Sequence, residues 1–123
     1  MLMIAGMSST ASQSSLAANE AIAKSVMRTV VTAEVTFQAT EGNDRYATLD
    51  ELVTKGLISK DMLQKYGYRV EITTSSNKFE ATAIPLEYGV TGKLSFFTDE
   101  SGVVRGGDHG GGAATISDKE IGN

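Results

Sequence analysis

Residues 18–37 read ANEAIAKSVMRTVVTAEVTF. Ala23, Val26, Met27, Val30, Ala33 and Phe37 recur at spacings of three and four, the period of a helix with one apolar face. The segment is about five helical turns long. Its apolar stripe must be covered, and the remainder of the chain, which reads as short strands and turns, is what can cover it. The spacing therefore predicts an α+β fold: a long N-terminal helix packed on a small antiparallel sheet of about four strands.

The helix is expected to begin between Ser12 and Ala17, with Ser14 or Ser15 as N-cap, because a serine hydroxyl accepts from the free amides of a first turn. The β-branched run Thr29-Val30-Val31-Thr32 lowers helix propensity, so packing of the Val26, Val30 and Phe37 face has to offset it. An end is expected near Thr40-Glu41, with Gly42 as C-terminal cap.

A turn at Gly42-Asn43-Asp44-Arg45 then leads into Thr48-Leu49-Asp50-Glu51. Thr48 with Glu51 three residues later is a capping box, opening a short helix to about Lys55 that Gly56 stops. Residues 59–63 read as a further helical turn capped by Ser59. Leu49, Leu52, Val53, Leu57 and Leu63 are expected to tuck against the long helix.

Strand patterning starts after Gly67. Tyr68, Val70 and Ile72 alternate with polar residues. A polar turn at residues 74–78 precedes a second strand over 79–84, which Pro85 ends or edges. Residues 93–98 form a third strand and Asp99-Glu100-Ser101-Gly102 a turn. Val103-Val104-Arg105 is the return strand. One face of this meander packs on the helix and the other faces water.

Composition narrows the function. A chain of 123 residues is one domain with one modest core. A net charge of −4 and scattered basic residues exclude the concentrated positive surface that nucleic acid requires. With no cysteine, a disulfide framework, a thiolate metal site and a cysteine nucleophile are all excluded. Six of the 13 glycines fall between Gly102 and Gly112, which marks residues 106–123 as a Gly-rich C-terminal tail of flexible composition.

The first fifteen residues form a lead-in of their own. Met1-Leu2-Met3-Ile4-Ala5-Gly6-Met7 is apolar but far short of the roughly 20 residues needed to span a bilayer. No basic residue precedes it, although Ser9-Thr10-Ala11 has the small residues of a signal-peptidase site. Three readings stay open: the remnant of a signal peptide, a disordered lead-in, or an extension of the helix that meets a partner.

The order of elements, with ANEAIAKSVMRTVVTAEVTF, YRVEIT, FEATAIP and TGKLSFFTDESGVVR, resembles the globular part of type IV pilins and type II secretion pseudopilins over roughly residues 16–105. The resemblance implies a pilin-like domain over 16–105 and a structural subunit of a pilus or pseudopilus-like filament in the bacterial envelope or outside the cell. Its implied partners are other pilin subunits or a separate hydrophobic pilin helix. The family's basic leader and its hydrophobic helical half do not occur in these 123 residues. Gly6-Met7 has the look of the family's processing junction, but Ser8-Ser9-Thr10 follows where an apolar run belongs. A truncated soluble piece, a split pilin, a secreted relative and a chain whose apolar start is the remnant of the anchor all fit. In each case the isolated chain is expected to be a monomer or weak oligomer. The alternative is a secreted or periplasmic pilin-like binding module that does not polymerise.

Chemistry-bearing residues are few. His109 is the only histidine, and a mobile His109 with Asp108 is two ligands short of a fixed metal site. Calcium, which the pseudopilin resemblance brings to mind, needs six to eight oxygens, and only Asp99, Glu100, Asp108 and Asp118 offer carboxylates. Those at the turn read as backbone-shaping residues. No nucleophile, base and orienting acid are spaced as a triad, so no enzyme activity is expected. Tyr66 and Tyr68 read as half-buried packing, and Glu20 with Lys24 as an i, i+4 helix pair. The residues singled out are the helix face itself, Ala23, Val26, Met27, Val30, Ala33 and Phe37, as a packing or assembly surface.

Overall fold

The computed structural model describes residues 2–42, 45–63 and 66–121, with side chains from Ser15 onward apart from Gly42 and Leu63. Helix α1 (Leu2–Phe37) runs into a wider π-helical turn, Gln38–Gly42. Helix α2 (Leu49–Thr54) and a single 3-10 turn, Asp61–Leu63, form the connector. Strands β1 (Tyr68–Ser75), β2 (Lys78–Pro85), β3 (Leu94–Asp99) and β4 (Arg105–Asp108) make one antiparallel sheet in sequence order. The fold is α+β, a long helix packed on a four-stranded antiparallel meander.

The helix begins well before the Ser12 to Ala17 window, so Ser14 and Ser15 are interior positions and cap nothing. Serine and alanine tolerate a helix interior when the turns on both sides propagate it. The turn expected at Asn43-Asp44 lies outside the described residues, as does the side chain of Leu63. The threonines of α1 are accommodated locally. Thr29, Thr32, Thr36 and Thr40 each donate a hydroxyl to the carbonyl four residues back, at 2.8 to 3.3 Å. This satisfies the hydroxyls on the outward face and leaves the inward face to packing.

The inward face meets small residues. Ala81 and Ala83 of β2 are fully buried and let the helix approach the sheet closely, while Tyr68, Val70, Phe79 and Phe96 fill the space around them. These residues share one side because Val70 pairs with Ala83 and Ala83 with Phe96. Pro85 closes β2 opposite Tyr68, where its missing N–H costs no ladder bond. The two-residue turn between β1 and β2 puts Asn77 at φ 59, a left-handed angle that asparagine tolerates.

The connector follows its sequence signals closely. The Thr48 hydroxyl accepts from Glu51 N, and the Glu51 carboxylate accepts from Thr48 N, closing the capping box. Leu52 is buried and Leu49 and Leu57 pack partly against the core. Ile58 is buried as well, a core residue that the periodicity did not mark.

The C-terminal segment departs most from expectation. The return strand begins at Arg105, two residues later than Val103, and takes in Gly106 and Gly107 of the presumed tail. Beyond it, Gly106 N donates to Lys119 O and Ile121 N to Val104 O, so residues 119–121 run along the outer edge of β4. Ala114 is buried, and with Ala113 and Ile116 it lines a cleft over Phe97 on the sheet face away from α1. The physical reason is the pair Phe96-Phe97. Neighbouring strand residues point to opposite faces, so consecutive phenylalanines need cover on both.

Candidate functional site

Three polar residues of α1 fasten the helix to the head. Asn19 Nδ2 donates to Thr91 O at 3.0 Å. Glu20 Oε2 accepts from Lys93 N at 2.8 Å and from Leu94 N at 3.0 Å. Fourteen residues on, about 21 Å along the axis, Glu34 Oε1 accepts from Ala47 N at 2.7 Å. The first two hold the start of β3 and the third holds the entrance to α2. The expected Glu20 and Lys24 pairing is thus superseded: the Glu20 carboxylate serves two backbone amides of the head.

Glu34 is fully buried, and its Oε2 has no hydrogen-bond partner among the described residues. Burial pushes its carboxyl up to about 7, opposed by the Ala47 hydrogen bond. Nearby, Arg45 grips Glu51 with two bonds of 3.0 and 2.8 Å and lies 5.1 Å over the Phe37 ring. The bonds from Arg45 and the Thr48 amide draw the exposed Glu51 carboxyl down to about 2.

At the other end, residues 86–92 form a tied loop between β2 and β3. Leu86 N donates to Gly67 O, Val90 N and Thr91 N to Glu87 O, and Gly89 N to Gly92 O. The Tyr88 hydroxyl donates to Asp108 at 2.8 Å. Tyr68 threads beneath the loop, its hydroxyl donating to Leu94 O at 2.6 Å. A Cβ on Gly92 would lie 2.1 Å from that hydroxyl oxygen, so only glycine fits there. Leu86, Tyr88 and Val90 are nonetheless exposed, the densest local group of exposed large apolar side chains among the described residues.

Comparison with protein-family models, with curated proteins and with solved structures gave no match.

The six helix-face residues come together as one surface. Ala23, Val26, Met27, Val30, Ala33 and Phe37 are each at most 3% exposed and all belong to the core cluster of the head. They pack against their own sheet and connector, and none is left open for a neighbour. No helix among the described residues is long and apolar enough to cross a membrane.

The acidic residues considered for calcium are not brought together. Asp99 shapes its turn by accepting from Ser101 N and Oγ, and Glu100 accepts from Phe79 N. Asp108 pairs with Leu94 at the opposite end of β3, about 17 Å away along the strand. His109 is also placed by the fold. Its Nε2 lies 2.8 Å from Asp118, whose carboxyl is held low by the Thr115 amide first and by His109 second. Among the described residues no cluster of three or more His, Cys, Asp or Glu side chains could hold a metal ion.

Sequence reasoning missed Glu34, although a signal was present. It stands four residues after Val30 and three before Phe37, in phase with the apolar stripe. A charged residue in that phase is a buried one, and a buried carboxyl needs a donor. The donor, Ala47 N, lies across an irregular connector and had no sequence signature.

Proposed function

We propose that the chain is a structural subunit of a type IV pilus or pseudopilus-like filament, located in the cell envelope or outside the cell, with other pilin-like subunits or a separate hydrophobic helix as partners. The observation that carries this reading is the mismatch in length between α1 and its head. The described tertiary contacts of α1 start near Leu16 and Asn19, yet the helix begins at Leu2. At 1.5 Å per residue it continues for about 20 Å beyond the last strand it touches. A helix that outruns its own sheet is suited to packing among the helices of neighbours. The fold class and the tight fastening of head to helix at Asn19, Glu20 and Glu34 support a rigid building block.

The covering of all six apolar residues by their own head favours a second reading, a secreted or periplasmic binding module that does not polymerise. Immunogold labelling with an antibody against the head, on cells that make the protein, separates the two. The subunit reading predicts gold along thin filaments. Gold confined to diffuse soluble protein contradicts it.

A further inference from the structure

Leu86, Tyr88 and Val90 are exposed at 59%, 45% and 59% within five residues, on a loop that is held rigidly. Rigid display of apolar side chains is costly in water and marks a surface with a partner. The loop is anchored to α1 at Asn19 and Glu20, the point where the helix leaves the head. The chain has a second apolar run, residues 2–7, LMIAGM, on the same helix. That run lies about 20 to 27 Å from Glu20 along the axis, so it does not fold back onto the loop that Glu20 anchors.

We infer that the loop displaying Leu86, Tyr88 and Val90 is the docking surface for residues 2–7 of a second copy of this chain. The two surfaces differ and are held apart on one rigid body. Their union is therefore head-to-tail, with each copy offering both, and such a contact propagates into an open array. The other sheet boundary does not compete, because residues 119–121 already line the outer edge of β4. The inference rests on the subunit reading and specifies the contact by which copies add.

The chain has no cysteine, so engineered pairs report one contact at a time. Leu2, Met3, Ile4 and Ala5 are each replaced singly by Cys, covering about one helical turn whatever its rotation. Each variant is mixed with Val90→Cys, or with Ser75→Cys at the far end of β1 as control, under mild oxidation. Circular dichroism first establishes that each variant keeps the helical signal of the parent. At least one position should give mixed dimer with Val90→Cys about tenfold above the control, as contact raises local concentration. Yields equal to the control at every position overturn the inference. Predominant Val90→Cys homodimers also overturn it, because they assign the loop to a symmetric head-to-head contact. The double variant Leu86→Ser, Val90→Ser should lower concentration-dependent association in sedimentation, and unchanged association counts against the contact. Gold-labelled filaments without the cross-link remove this contact and leave the subunit reading standing. A cross-link in a protein never found on filaments supports the contact and removes that reading.

Discussion

The carboxyl of Glu34 accepts a 2.7 Å hydrogen bond from the backbone amide of Ala47, joining the middle of the long helix to the entrance of the connector. The bond sits inside the core, where one carboxyl oxygen has no partner among the described residues. An ionised group here lacks the solvation it would have in the unfolded chain, and that sets its effect on stability.

Stability should fall as pH rises through the Glu34 titration. Its folded carboxyl is raised to about 7 from an ordinary 4.5, so between those values the folded state holds the proton more tightly than the unfolded state. The contribution is fully present below pH 4.5 and is lost by about pH 7. Its size is on the order of 2–3 kcal/mol. The lowered carboxyls of Glu51, Asp108 and Asp118 act with the opposite sign, losing their contribution as pH falls. Urea midpoints of the parent and Glu34→Gln, measured from pH 4 to pH 8, isolate the Glu34 effect. Glu34→Gln should become the more stable protein above pH 7, and parallel pH profiles contradict the assignment.

Thr48→Ala should destabilise by about 1 kcal/mol, the usual worth of an N-cap. The change removes the hydroxyl that receives Glu51 N and frees the reciprocal half of the capping box. Chemical denaturation reads it directly.

Gly92→Ala should cost about 2 kcal/mol or more, because the new methyl group overlaps the Tyr68 hydroxyl. Tyr68→Phe in the same background should recover part of that loss by removing the clashing atom. A Gly92→Ala protein as stable as the parent shows that the loop and Tyr68 are not in this contact.

Removing residues 113–123 should lower the melting temperature. The truncation uncovers Phe97, whose burial is worth roughly 1.5–3 kcal/mol, and strips the cover from the β4 edge. A freely moving tail would leave the melting temperature unchanged.

The legible parts of this fold were those governed by local rules. The spacing of Ala23 to Phe37 placed the buried face of α1 on the correct residues, and Thr48 with Glu51 placed α2 through capping chemistry alone. Alternation at Tyr68, Val70 and Ile72 gave the facing of β1. The illegible parts depend on distant partners. Glycines at 106 and 107 read as flexible in isolation and become a strand because Ser95 and Phe96 lie opposite them. His109 reads as mobile until Asp118 folds back to meet it. The exposure of Leu86, Tyr88 and Val90 is equally hidden, since alternating apolar residues ordinarily signal a half-buried strand.

Hydrogen exchange along α1 in the isolated chain tests the central claim, that this helix is built to outrun its own head. Amides of residues 20–37 should exchange slowly, with the core cover of Ala23 to Phe37 protecting them. Amides of residues 2–15 should exchange orders of magnitude faster in the monomer, because the protection they lack is to come from a neighbour. Uniform slow exchange from residue 2 to residue 40 in a monomer would contradict the account.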